Sequence, residues 1–326
     1  MRSFRGFAAT CICATAPLVA PLSASAWGPD GHHLVGEMAD KQIAGTHAAT
    51  QVLALLGTLS LRDAAVWADC VKGISTSTFT YTDPPDKYPE CKVYLTPEGE
   101  AEMADFARRN NTNCGNQEPT TACHAEYHYA DVAIQRPGYK LRTVGTRDDD
   151  IVQATTAAIH VLRGDPAPAP FSIKNKREAL LLLAHYVGDL HQPLHVGAIY
   201  LDASGAIVDP DKMTPYDVAT ETRGGNEILK IDVHTQMRCS QLHATWDALP
   251  LFLTDKNLTS SWLKQVKAVP KTGGDVLEWP ARWGSGTVVA AQSAFAGLSF
   301  GAKAGKDWSV VLPDRYGPKM DSLKKQ

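Results

Sequence analysis

Several residues of one short segment carry groups that bind metal ions: His185, Asp189, His191 and His195, in HYVGDLHQPLH. His185 and Asp189 are four apart, so on a helix they share one face, one turn from each other, as two ligands of one ion require. Pro193 cannot continue that helix, and the bend it imposes swings His195 back toward the pair. The preceding run ALLLLA, residues 179–184, places the segment in the interior. There an acid and several imidazoles are costly without a partner, and a metal ion is the partner this pattern suits. His243 and Asp247 in LHATWD repeat the four-residue spacing. Asp69 in VWADCVK and His128 in EYHYADV add further donors, though neither would point to a metal alone.

These groups must be held by helices. Apolar residues recur at three- and four-residue intervals over 31–43, 50–56, 148–162, 174–190, 240–248 and 261–266, which predicts helix in each. Strand signals are few: Tyr127–Ile134 and Glu227–Val233 alternate loosely, and either could form one arm of a small hairpin. Between about Gly73 and His124 the composition shifts to Thr, Pro, Asn and Cys, with a helix-like PEGEAEMADFARR in the middle. This reads as an inserted, disulfide-pinned excursion and not as a second domain. The expected fold is therefore mainly α, one domain over residues 27–326 with a small β-hairpin and an insertion at about 73–124. The tail from Gly301 is polar and proline-punctuated, with a weak helical pattern only at its end.

The first 26 residues have the form of a secretory leader: Arg2 and Arg5, an apolar run from Phe7 to Leu22, then Ala24-Ser25-Ala26. Pro17 and Pro21 break the run, which is too short for a membrane anchor. A secreted or periplasmic protein beginning at Trp27 is expected. The chain of 326 residues carries 32 Lys and Arg against 35 Asp and Glu, a net charge of −3, and both charged residues of the leader are arginines. The remainder is more acidic still, which excludes a basic duplex-binding surface. A nucleic-acid partner would have to be drawn by local groups or by metal ions. Beyond the leader lie Cys70, Cys91, Cys114, Cys123 and Cys239, for which disulfides are expected in an exported protein, Cys114–Cys123 first among them.

In combination these motifs resemble the single-strand-specific zinc nucleases of the S1/P1 type, whose fold is shared with bacterial zinc phospholipase C. The matching residues are WGxxGH at Trp27–His32, WAD at Trp67–Asp69, the HY with a following acid at His128–Asp131, HxxGDxHQPLH at His185–His195, GGN at Gly224–Asn226 and LHxxWD at Leu242–Asp247. The excursion between Asp69 and His128 is long beside the fungal members.

The resemblance implies three zinc ions on an all-helical scaffold. Asp69, His128, His185 and Asp189 would hold one, and His195, His243 and Asp247 a second. Asp189 would bridge to a third, bound by His32 and by the amine and carbonyl of Trp27. Asp69, Lys72 and Asp189 would be catalytic, Lys72 stabilising the pentacoordinate phosphate. Tyr129 would stack a base, with Asp131 and Asn226 hydrogen-bonding the base or fixing the site. The implied activity is hydrolysis of single-stranded DNA and RNA to 5′-phosphate products by a monomer, together with 3′-nucleotidase activity. All inferred donors are nitrogen or oxygen, which marks catalytic rather than structural zinc. A zinc phospholipase C is the main rival, disfavoured by Asp247, since the phospholipases resemble one another in using glutamate there. A secreted zinc-binding protein is a weaker one. His33, His47, His124, His160 and His234 are read as ordinary surface or core residues, and His191 as an outer neighbour of the ligands.

Overall fold

The computed structural model describes residues 27–111, 122–231, 238–249, 253, 260–314 and 316–324. The first helices are α1 (Pro29–Ile43), α2 (His47–Leu56), α3 (Leu61–Ala64), α4 (Trp67–Val71) and α5 (Pro97–Arg109). Then come α6 (Ile151–Arg163), α7 (Lys176–His191), α8 (Leu242–Asp247), α9 (Ser260–Ala268), α10 (Trp279–Phe295) and α11 (Tyr316–Lys324). Thr46, Thr96, Asp150 and Asn175 each cap a helix by accepting a backbone N–H of its first turn. Each such cap is worth about 1 kcal/mol. Gly164, at φ 101°, ends α6 in the left-handed region.

Helix α7 is the centre of the molecule. Its Ala179, Leu181, Leu182, Tyr186 and Leu190 are all buried, and α1, α3, α4, α6 and α10 pack around it. Trp67 of α4, Met103 and Phe106 of α5, and Ile151 and Val152 of α6 complete this core. A second cluster gathers Leu194, Leu242, Trp246, Phe295 and Trp308.

The strands are short. Two two-stranded pairs are β1 (Val132–Ala133) with β2 (Gly197–Ala198), both buried, and β3 (Tyr200–Leu201) with the more exposed β4 (Ile207–Val208). A separate sheet has the order β6-β5-β8-β7, from β5 (Ile228–Ile231), β6 (Arg238–Gln241), β7 (Phe300–Ala304) and β8 (Asp307–Val310). The expected hairpin is β5 with β6, antiparallel. The stretch Tyr127–Ile134 is not a hairpin arm. Residues 123–128 form a 3-10 helix, and β1 then pairs with β2 in parallel. The alternation there comes from burial on one side of a turn, which mimics a strand.

Helix α10 and strands β7 and β8 were not visible in the apolar pattern. Gly284 and Gly286 interrupt the periodicity of α10, yet a Cβ at Gly284 would meet Val152 Cγ2 at 3.0 Å, so this glycine serves close helix packing. Cys70 and Cys91 form a disulfide that ties α4 to the 3-10 turn Pro89–Tyr94, in the segment expected as an insertion. Cys123 is also disulfide-bonded, while Cys114 and the leader lie outside the described residues. The insertion is fastened to α7 by Arg109 on Glu178 (2.6 Å) and Arg177 on Glu102 (3.0 Å). Among the described residues no helix is long and apolar enough to cross a membrane.

Candidate metal centre

Six elements converge at the carboxyl end of α7. The helix carries His185 and Asp189, α1 brings His32, and α4 brings Asp69 with Lys72 at its C-cap. Two 3-10 turns end on His128 and His195. Helix α8 supplies His243 and Asp247. The two 3-10 turns are held side by side by a short ladder in which Ala130 N donates to His195 O (2.8 Å) and Val132 N to Val196 O (2.8 Å).

The donors fall into three groups whose ligand atoms lie within 4.8 Å of one another: His32, His185 and Asp189; Asp69, His128 and His185; His195, His243 and Asp247. Around the second, His185 Nε2 is 3.0 Å from His128 Nδ1 and 2.9 Å from Asp189 Oδ2. Asp69 Oδ1 is 3.7 Å from both ring nitrogens. Zinc–nitrogen bonds of about 2.0–2.1 Å in a tetrahedron give donor separations of roughly 3.3 Å, so these spacings suit a four-coordinate ion. His195 Nε2 and His243 Nε2 are 3.0 Å apart, and Asp247 Oδ2 is 3.6 Å from the latter. In the remaining group His32 Nε2 is 3.1 Å from Asp189 Oδ1, and the His32 ring stacks on His185 at 3.8 Å. Asp189 thus turns one oxygen to each of two groups.

Two observations fit these residues to metal ions. His32 Nε2 and Asp189 Oδ1 face each other at 3.1 Å, both buried and without a hydrogen-bond partner among the described residues, a costly state that an ion between them would relieve. In addition, the rings are oriented for ligation. Nδ1 of His185, His195 and His243 faces the carbonyl oxygens of Ala65 (2.6 Å), His128 (2.8 Å) and Gly224 (2.8 Å). A carbonyl only accepts, so Nδ1 carries the proton and Nε2 presents its lone pair to the centre.

Electrostatics agree with that assignment except at His185, where burial would lower the pKa but the carboxylates of Asp189 and Asp69 outweigh it and raise it. Burial holds the pKa values of His32, His128 and His195 below the usual imidazole value, and burial with the neighbouring His195 pushes His243 down to about 3. Burial would raise the carboxyl of Asp69, but Lys72 and the imidazoles of His185 and His128 outweigh it and hold it well below the usual range. The carboxyl of Asp189 is lowered in the same way by His185, His32 and His195 against its burial. Neutral imidazoles beside ionised carboxylates are the ligand state that a divalent zinc ion takes.

Glycines fix two close approaches. A Cβ at Gly188, one residue before Asp189, would meet His32 Nδ1 at 3.1 Å. Gly224 has φ 58°, and a Cβ there would meet Leu194 O at 2.2 Å while its own carbonyl orients His243.

The residues expected to bind substrate lie beside the donors. Tyr129 donates its hydroxyl to Glu126 Oε1 (2.5 Å), and the guanidinium of Arg147 covers its ring at 5.1 Å. Asp131 Oδ1 is buried with no hydrogen-bond partner among the described residues, and burial with the nearby Glu221 raises its carboxyl to about 7. Asn226 Nδ2 donates to Arg223 O (3.0 Å), closing the turn of the GGN motif. Lys72 Nζ donates to Asp69 Oδ1 at 2.7 Å. Trp27 packs on Gly31, and its Cδ1 would lie 3.8 Å from a Cβ at Gly188, next to His32.

Some outcomes differ from the sequence reading. His191 is not an outer neighbour of the ligands: its Nδ1–H donates to Val187 O (2.7 Å) and its ring lies against Trp283. The reading missed Gln192, which bonds Asp247, as well as Arg147 and Glu126, which hold Tyr129. Gln192 stands inside the HQPLH motif and was accessible in principle. Arg147 had no local signal.

A mainly helical scaffold that gathers three sets of buried His and Asp donors forms a candidate metal centre of the kind that hydrolases use. The chain belongs to the S1/P1 nuclease family, whose sequence profile matches residues 98–272, more than half its length. It is also similar to Endonuclease 2 of Arabidopsis thaliana, 29% identical over 109 residues. That match covers 28% of this chain and 29% of the plant protein. His32, Asp69 and Lys72 precede the profile match.

Proposed function

We propose that the protein is an exported, zinc-dependent phosphodiesterase that hydrolyses single-stranded DNA and RNA to 5′-phosphate products and removes 3′-phosphates from nucleotides. The observation that carries this is the convergence of Asp69 and His32, from outside the family match, onto His128, His185 and Asp189 within it. Asp69, His128, His185 and Asp189 would hold one zinc ion, and His195, His243 and Asp247 another. His32, Asp189 and the freed amine and carbonyl of Trp27 would hold the third. Bound zinc supplies Lewis acidity to the phosphodiester and lowers the pKa of water so that a nucleophile exists near neutral pH.

The chain's own residues do the rest. Lys72, 14% exposed and anchored on Asp69, offers its ammonium to charge gathering on the phosphate oxygens. Tyr129 is pinned by Glu126 and backed by Arg147, which leaves a rigid ring for one base to stack on. Asp131, buried two residues beyond that ring, would hydrogen-bond the base or fix the site. A base paired within a duplex cannot reach that ring, so single strands are preferred. Removal of the leader before Trp27 would expose the amine, and the Cys70–Cys91 disulfide suits an oxidising compartment.

The test compares product release from single-stranded DNA, single-stranded RNA, duplex DNA and a phosphatidylcholine vesicle. Rapid formation of 5′-phosphorylated nucleotides from both single strands is expected, with slow duplex cleavage. Phosphocholine release without nucleotide release would favour the phospholipase.

A further inference from the structure

Gln192 has no assigned part in the centre, yet every polar group it owns is engaged there. Its side chain is completely buried. Its backbone N–H donates to Asp189 O (3.0 Å), and its carbonyl accepts from His195 N (3.0 Å). In the side chain, Oε1 accepts from Leu194 N (2.5 Å) and Nε2 donates to Asp247 Oδ1 (2.7 Å). These two bonds settle the orientation of the amide. Flipping it would set its oxygen against a carboxylate and its NH2 against a backbone donor.

The consequence falls on Asp247. With Oδ1 held by Gln192, Oδ2 is the oxygen turned toward His243 Nε2, at 3.6 Å, while Oδ1 lies 3.9 Å from His195 Nε2. Asp247 is otherwise placed by a helix of only six residues, α8, whose end is tied to the amino-terminal segment through Gly28 N donating to Asp247 O (3.0 Å). Leu242 and Trp246 anchor α8 in the second core cluster, and Asp247 is the last residue of that helix. A buried amide from the rigid end of α7 positions its carboxylate.

We infer that Gln192 is a positioning residue that presets the Asp247 carboxylate, so that the His195, His243 and Asp247 group is formed before its ion arrives and is locked in register with Asp189. The inference rests on the metal reading of this centre. It assigns Gln192 no contact with substrate.

The experiment is zinc binding by the full mature chain, titrated against a competing chelator, for wild type and Gln192→Met. Methionine keeps the length and roughly the volume of the side chain while removing both hydrogen bonds. Loss of such an outer partner weakens a metal site about 10- to 100-fold. One zinc ion should therefore bind that much more weakly in the variant while the others bind as in wild type, and excess zinc should restore the full count. A general packing defect would weaken all ions together. Should Gln192→Met fail to fold, the wild type answers directly: in 15N-labelled protein the Gln192 side-chain amide should resist solvent exchange and shift as the last zinc ion fills. Equal affinity at every site in the variant, or an amide that exchanges freely and does not respond to zinc, overturns the inference. A wild-type chain that binds no zinc overturns the metal reading itself, a separate result.

Discussion

At the scale of the residue, Asp189 is the group on which most depends. Its two oxygens face different donor groups, Oδ1 toward His32 and Oδ2 toward His128 and His185. Asp247 serves one group. Asp189→Asn should therefore reduce kcat on single-stranded DNA more than Asp247→Asn, by about tenfold or more, and should release more zinc. Equal and mild losses would contradict the bridging role. Tyr129→Ala should raise KM on short oligonucleotides by the equivalent of about 1–3 kcal/mol, the value of one base on one ring, with zinc content unchanged. An unchanged KM would remove the stacking platform. The ligand types were legible in the sequence because imidazole and carboxylate at four-residue spacing on an interior helix have few other uses. What orients them was not. The carbonyls of Ala65, His128 and Gly224 carry no side-chain signature, and only folding brings them to the rings.

At the scale of the element, α7 and the GGN turn set the geometry. Gly224→Ala would force a side chain into the left-handed region and against Leu194 O. It should lower stability by about 1–3 kcal/mol and cost zinc through His243, whose ring Gly224 O orients. Thermal melting with metal analysis checks both, and an unaltered protein would show that the turn relaxes without cost. Helix α5 was legible down to its ends, because Pro97 and the first-turn acids mark its start and Arg108 and Arg109 its finish. Helix α10 was not, since its two glycines lower the apparent helix propensity, and of these only Gly284 is required by close packing. The parallel pairing of β1 with β2 joins residues far apart in sequence, and local alternation has no information on it.

One buried group links an element to pH. His124, in the 3-10 turn before His128, packs on Phe106, and burial with the nearby Lys72 lowers its pKa to about 3 from the ordinary 6.5. The unfolded chain takes up a proton on this residue below about pH 6.5 and the folded chain does not. Its contribution to stability is therefore full above that pH and is lost as pH falls toward 3, up to about a factor of ten in the folding equilibrium per pH unit. His124→Phe should flatten the acid side of the stability curve relative to wild type. A parallel curve would place the acid sensitivity elsewhere.

At the scale of the whole molecule, the proposed function asks an acidic chain to attract a polyanion, and three dications at one centre would reverse the local field. The same ions would fasten α1, α4, α7, α8 and the two 3-10 turns together, so binding energy becomes folding energy. The amino terminus belongs to this scale as well. If the Trp27 amine is a ligand, a form retaining one residue before it cannot bind the third ion, because an amide nitrogen has no lone pair to give. Elemental analysis should find fewer than three zinc ions in that form, and trimming to Trp27 should restore the count. The fold class and the His/Asp pairs at four-residue spacing could be read from the chain because they rest on local spacing. The sheet β6-β5-β8-β7 and the gathering of six elements at one helix end are long-range outcomes.

The most direct measurement strips the mature protein with a strong chelator and follows zinc content, thermal melting and turnover on single-stranded DNA in the same samples. The metal account predicts about three zinc ions per chain at the start, loss of turnover with a lowered melting temperature on stripping, and recovery of both as zinc is returned. Full turnover in a chain shown to hold no metal would contradict it.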